Sequence, residues 1–190
     1  GRRIERLEQT ARLLRAVLEA GTGPVDVAEG DVRLTAFRNV PPVEKVPPLL
    51  IGGGGRRVLT AAGRLADIVG INFDVREGRV GRHAVRSASR AATEEKIAWV
   101  RAAAGERRPV LHMMIYWAEV TEQPAEAARR RIAALGLEMS PEEMLASPHC
   151  LIGPPGAVAE RVAELRERLG IGYLSFYEAD LSSIAPVLLA

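Results

Sequence analysis

Four consecutive glycines, Gly52, Gly53, Gly54 and Gly55, stand between an apolar run, Leu49-Leu50-Ile51, and a basic pair, Arg56-Arg57. A buried strand that runs through glycines into a helix offers free backbone N–H groups and the positive end of a helix dipole. The absent side chains let an anion come close. That is chemistry for a phosphate. No Gly-Lys-Ser/Thr follows, so the turn is not a triphosphate-binding loop, and Arg57 and Val58 stand where a dinucleotide fingerprint needs its third glycine. A mononucleotide-type phosphate fits better, with Arg56 as a charged clamp. The competing reading is a tight turn that binds nothing. A second junction, Leu151-Ile152-Gly153-Pro154-Pro155-Gly156, looks alike, but its two prolines delete the donors an anion needs. It reads as a structural helix start.

Other polar residues say less. Asn72 directly follows the apolar run 67–71, at the strand edge where α/β proteins bind ligands, and it suits either a hydrogen bond to a cofactor ring or substrate or a plain turn. Along 110–117, strand alternation puts Leu111, Met113, Ile115 and Trp117 on one face, for packing on helices. His112, Met114 and Tyr116 then share the other, with Tyr116 nearer the C-terminal rim. A satisfied core role for His112 outweighs a catalytic one. His149 and Cys150 are adjacent and point opposite ways on an extended chain, which argues against a nucleophile and base pair. His83 reads as a solvated residue of an Arg- and Gly-rich loop. No set of metal ligands converges, and Cys150, the one cysteine, excludes an internal disulfide and a cysteine-based zinc site.

The elements that must position these residues alternate. Apolar positions Ile4, Leu7, Ala11, Leu14 and Leu18 predict a helix ended by Gly21. Residues 25–27 and 32–34 flank Ala28-Glu29-Gly30-Asp31 as a hairpin, and four prolines in 41–48 make an extended linker. This 22–48 excursion interrupts a 1–190 single domain. Then come a strand at 49–51, a helix carrying Val58, Leu59, Ala62 and Leu65, and a strand at 67–71, a βαβ unit. A loop with Gly78 and Gly81 leads to a helix from Thr93. After the strand 110–117, a helix at 125–135 precedes one opened by Ser140-Pro141-Glu142-Glu143, a capping box with proline at the first helical position. Val158, Val162, Leu165 and Leu169 mark a helix capped by Gly170. A strand at 172–177 and a terminal helix after Asp180 close the chain. About four core strands separated by helices mean a parallel sheet with right-handed crossovers, either open and doubly wound or part of an eight-stranded barrel.

Composition fits this. With 47% hydrophobic and 26% charged residues in 190, the chain can bury a core without disulfides or metal. Its net charge of +2 and its 4% aromatic content, not interleaved with basic residues, argue against nucleic acid. No apolar stretch has membrane-spanning length and no cleavable leader is visible, so a soluble, cytoplasmic protein is expected.

The run Pro47-Pro48-Leu49-Leu50-Ile51-Gly52-Gly53-Gly54-Gly55-Arg56-Arg57-Val58-Leu59, continued by Ala61-Ala62 and Ala66-Asp67-Ile68-Val69-Gly70, resembles the luciferase-like monooxygenase superfamily. Further likeness lies in Glu94-Glu95-Lys96-Ile97-Ala98-Trp99-Val100-Arg101, in Leu151-Ile152-Gly153-Pro154 with Val158-Ala159-Glu160-Arg161, and in Gly170-Ile171-Gly172-Tyr173. The resemblance implies a (β/α)8 TIM barrel, commonly a homodimer, that binds FMN or the deazaflavin coenzyme F-420 and oxidises or reduces a small organic substrate. It makes Gly52 through Gly55 the cofactor-phosphate region. Such proteins carry roughly another hundred residues ahead of what corresponds to Gly1, including the usual catalytic positions, so no catalytic residue is assigned. Taken alone, this chain is expected to be about half a barrel, its edges covered by another chain or a segment outside it. A non-catalytic flavin-binding protein or inactive fragment, and a phosphosugar-type barrel enzyme, are the alternatives.

Overall fold

Each apolar run is followed by a stretch of helical period, and the chain folds accordingly; the computed structural model describes residues 2–75 and 81–189. Helix α1 (Arg2–Glu19) leads into an antiparallel hairpin of β1 (Val25–Glu29) and β2 (Val32–Phe37), whose turn uses Gly30 at a φ of +58°. After the proline linker come β3 (Leu50–Gly53), α2 (Arg56–Leu65), β4 (Ile68–Ile71), α3 (Arg82–Ser87), α4 (Arg90–Ala104) and β5 (Val110–Met114). Next are β6 (Trp117–Val120), α5 (Pro124–Leu135), α6 (Pro141–Ala146), β7 (Cys150–Gly153) and α7 (Pro155–Glu164). A π-helical stretch, Leu165–Leu169, continues α7 to Gly170, a left-handed cap at φ +74°. The strand β8 (Ile171–Ser175) and α8 (Glu178–Leu188) complete the order.

Strands β3, β4, β5 and β8 form one parallel sheet in that order, and β6 and β7 form a separate parallel pair. The sheet does not close on itself among the described residues; β3 and β8 are its edges. Its register explains its two faces. Ile51, Val69, Leu111 and Ile171 lie side by side and are buried with Leu59 and Ala62 of α2 and Val100 of α4. One step along, Gly52, Gly70 and His112 line up on the opposite face, joined by Tyr173 across a one-residue register shift in β8. There Leu50, Val110 and Tyr173 each remain 45% exposed. An apolar face turned to helices and an uncovered inner face are what part of a (β/α) barrel shows.

Several boundaries differ from the sequence reading, each for a local reason. The run 110–117 is not one strand: the Ile115 N–H bonds to Ser175 O, whereas the Tyr116 N–H bonds to His149 O, so the chain changes partners there. The alternation survives the break, with Leu111, Met113, Ile115 and Trp117 buried and His112, Met114 and Tyr116 half-buried. Helix α4 begins at Arg90, because the Ser89 hydroxyl accepts from Ala92 N–H at 3.3 Å and caps it; the Thr93 hydroxyl instead bonds back to Ser89 O. His83 lies in α3 and not in a loop, since Ala84 and Val85 bury one side of that turn. Gly78 lies outside the described residues. Helix α8 starts before Asp180, which is buried inside it and accepts from Arg131 at 2.9 Å. Leu14, on the expected buried stripe of α1, is exposed, and Ala11 and Val17 are its buried positions. The Ser140 capping box is present as read.

At the N-terminal end of the sheet, Asp67 ties three elements together. It accepts from Leu49 N–H at 2.8 Å and Arg15 at 2.8 Å, with Arg107 at 3.5 Å. Burial alone would raise this carboxyl; the Leu49 bond and the two arginines outweigh it and hold its pKa below the ordinary value. No described helix is long and apolar enough to cross a membrane.

Candidate functional site

The glycine turn sits at the C-terminal end of β3, the end at which barrels and open parallel sheets carry their sites. Gly55 is the N-cap of α2, in extended backbone (φ −99°, ψ 151°), and brings no side chain to the helix start. The opening N–H groups of α2 therefore have neither intrahelical acceptors nor a side-chain cap.

The four glycines are not equivalent. A Cβ on Gly54 would stand 2.0 Å from the Phe73 carbonyl oxygen and 2.2 Å from its carbon, backbone against backbone. On Gly53 it would meet Val58 Cγ1 at 2.2 Å, and on Gly52 the Asn72 side-chain nitrogen at 3.1 Å. On Gly55 its nearest neighbour would be Asp74 Oδ2 at 3.8 Å, ordinary contact. Gly52 and Gly54 thus let the turn pack on the segment after β4, Gly53 lets Val58 of α2 close on it, and Gly55 leaves space in front of the helix N-terminus.

That segment is held from below. Asn72 N–H donates to Gly53 O at 3.0 Å, and its side-chain amide lies over Gly52. The Asp74 N–H donates to Ser87 Oγ at 2.7 Å, and the Asp74 carboxylate stands 3.3 Å from His83 Nε2. Beneath them Lys96, almost fully buried, donates to Asn72 O at 2.8 Å and to Ser87 O. Burial pulls the Lys96 ammonium down to about 8, against the opposing pull of Asp74 and Glu95. Sequence reasoning missed this lysine, although it shares the buried stripe Thr93, Lys96, Ile97, Val100 of α4, and a lysine on such a stripe is a visible signal.

Arg56, read as a phosphate clamp, holds its guanidinium 6.0 Å over the Trp99 ring of α4. His112 Nε2 meets Ser175 Oγ at 2.8 Å on the inner face, and burial lowers its pKa. His149 is fully buried and donates from Nδ1 to Met114 O at 2.9 Å, so Nε2 carries the lone pair. Burial pushes its pKa to about 4, and the Cys150 thiol up to about 12; both are inert as a nucleophile and base pair.

Tyr116 belongs to an aromatic group that the sequence did not reveal. The Phe73 ring lies 4.2 Å from Tyr116 and stacks on Trp117 at 5.7 Å, and Tyr177 meets Tyr116 edge-on at 6.2 Å. Together with Leu135, which ends α5, and Leu137 just beyond it, these rings line a hollow of about 590 Å³ on the same rim. Phe73 joins the two parts: its carbonyl abuts Gly54 and its ring walls the hollow.

A parallel sheet with helices on one face, and a glycine turn and aromatic hollow at its C-terminal rim, defines part of a (β/α)-barrel fold. The family is luciferase-like monooxygenase, to which the chain belongs: the family's sequence profile matches residues 1–172. Among solved structures it is similar to EDTA monooxygenase (EmoA) from Chelativorans sp. BNC1, at 16% identity and a TM-score of 0.66, over 99% of this chain and 59% of that one. Similar too is the monooxygenase RslO1 from Streptomyces bottropensis, at 16% identity and TM-score 0.59, over 96% and 59%. The coenzyme F-420-dependent tetrahydromethanopterin reductase from Methanopyrus kandleri matches at 16% identity and TM-score 0.61, over 90% and 58%. The chain therefore spans less than two thirds of the length of these structures. Among curated proteins no match is found.

Proposed function

We propose that this chain forms the cofactor-phosphate side of a flavin- or deazaflavin-dependent oxidoreductase that acts on a small organic substrate. The observation that carries the reading is the uncapped N-terminus of α2 behind Gly55, at the C-terminal rim, in a luciferase-like chain. Solved structures of similar fold include both a monooxygenase and a coenzyme F-420-dependent reductase, which supports FMN or coenzyme F-420 as the cofactor. The donor set fits a phosphate: backbone N–H groups, a helix dipole and no intruding side chain. Asp74 is the local counterweight, a carboxylate beside the turn whose charge His83 offsets when protonated.

When bound, the flavin-type ring supplies the electron chemistry. The chain's own residues bind and orient. Gly52, Gly53, Gly54 and Gly55 shape the turn, Asn72 offers an amide over Gly52 to the ring or substrate, and Lys96 fixes the Asn72 carbonyl beneath it. Tyr116, half-buried in the hollow, faces the substrate side. Arg56 reaches the phosphate by leaving Trp99.

Gly55→Val tests this. The extended N-cap backbone accommodates valine, a poorer cap than glycine, so stability should fall by roughly 0.5–1 kcal/mol without unfolding the chain, while a side chain fills the anion's place. FMN and coenzyme F-420 affinity, measured by fluorescence titration of wild type and variant, should fall at least about tenfold for the true cofactor, roughly 1.4 kcal/mol. Equal affinity in both proteins overturns the phosphate assignment.

A further inference from the structure

The aromatic hollow has features the cofactor reading leaves unused. Its walls come from four places: Phe73 after β4, Tyr116 and Trp117 at the β5–β6 break, Leu135 and Leu137 around the end of α5, and Tyr177 after β8. At about 590 Å³ it is within the size range of small-molecule sites. Three of its rings touch in series, Tyr177 edge-on to Tyr116 at 66° and Tyr116 tilted 37° to Phe73, with Trp117 stacked on Phe73 at an interplanar angle of 16°. Ring faces and edges set at such angles pair with an aromatic guest, through offset-stacked and edge-to-face contacts worth about 0.5–1.5 kcal/mol beyond area burial. Linear alkyl chains gain none of that.

Polarity narrows the guest further. Neither the Tyr116 nor the Tyr177 hydroxyl has a hydrogen-bond partner among the described residues. Burial, and the neighbouring Tyr177, raise the Tyr116 phenol above its usual range, so near neutral pH it stays protonated and donates. A guest that stacks here therefore gains from an oxygen that accepts. Glu138, which also lines the hollow, sits 3.7 Å from Arg82 in an exposed ion pair. Nothing in the lining matches a phosphate, and the glycine turn lies on the other side of Phe73.

We propose that this hollow is the substrate's part of the site and takes a planar aromatic molecule carrying a carbonyl or hydroxyl oxygen. Phe73 and Tyr177 clasp its ring, and Tyr116 donates to its oxygen. This rests on the oxidoreductase reading only for calling the guest a substrate; the binding claim stands apart from it.

The test is calorimetric titration of the full chain with 2-naphthol and, separately, with 1-octanol, which has a hydroxyl and no ring. FMN is titrated in a third experiment. 2-Naphthol is expected to bind at least tenfold more tightly than 1-octanol. Tyr177→Ala, at a half-exposed position that folding tolerates, should weaken it about tenfold, and Tyr116→Phe about fivefold. Tyr173→Phe, on the uncovered inner face, should leave it unchanged. Octanol binding as tightly as naphthol, no naphthol binding, or naphthol binding insensitive to Tyr177→Ala and Tyr116→Phe overturns the proposal. FMN binding without naphthol binding defeats this inference and leaves the cofactor reading intact; naphthol binding with neither FMN nor, titrated likewise, coenzyme F-420 bound does the opposite.

Discussion

Two turns in this chain stand at the same topological place, after a parallel strand and before a helix, and they are built to opposite ends. The first runs from β3 through Gly54 and Gly55 into α2; the second runs from β7 through Pro154 and Pro155 into α7. In the first, Gly54 is locked against the Phe73 backbone and the helix start is bare. In the second, Pro154 is the N-cap and Pro155 the first helical residue, so two of the positions that would offer donors have none. Its glycines are also loosely placed: a Cβ on Gly153 would meet Ala157 Cβ at 3.6 Å, and one on Gly156 nothing within 4 Å. Shared topology does not make a site. What equips a turn for an anion is free donors and a close backbone approach, and of these two turns only the first has both.

The largest test of that contrast is Gly54→Ala. A methyl 2.0 Å from a carbonyl oxygen forces two backbone segments apart, and we expect a loss of at least about 3 kcal/mol in urea unfolding. A near-wild-type midpoint would mean that the turn is as loose as its counterpart. Cofactor loss in this variant is uninformative for the same reason, which is why Gly55 is the better probe.

A smaller effect comes from the support beneath the first turn. Lys96 has a folded pKa of about 8 against an ordinary 10.5, so between those values the unfolded chain holds one more proton and stability rises with pH. From pH 8 to 9.5 this limb should be on the order of 1 kcal/mol; the buried Cys150 thiol, held protonated up to about 12, opposes it over the same range, so the limb is read as the difference in slope between wild type and the lysine variant. Lys96→Met should flatten it. An unchanged slope in urea midpoints across that range would show that the lysine is not buried as described. The second turn's own variant gives the smallest effect. Gly156→Ala adds a methyl in open space near the start of a helix and should raise stability by roughly 0.5–1 kcal/mol. A loss instead would show that this glycine, too, is held in close contact.

Much of this was legible before any coordinates. The strand, the four glycines and the helix of the first turn follow from residue order alone, because a run of apolar residues, then glycine, then a 3.6-residue period admits few backbone solutions. The prolines of the second turn excluded donors by covalent structure, and the Ser140 capping box was read from four residues. Boundaries were less secure where two local signals compete. Thr93 looked like a helix start beside Glu94 and Glu95, and Ser89 captured the cap because its hydroxyl meets the Ala92 N–H.

What this sequence determined by itself was the order of its elements, the inward and outward faces of 110–117, and which turn retains donors. All of these are properties of neighbours along the chain. Only the tertiary structure decided that Gly54 must be glycine, since the atom that forbids a side chain belongs to Phe73. It also decided that Lys96 holds up Asn72, that Arg56 rests on Trp99, and that Phe73, Tyr116, Trp117 and Tyr177 meet in one hollow. Those residues come from the ends of different strands, and their meeting depends on register across the sheet, which no local period encodes.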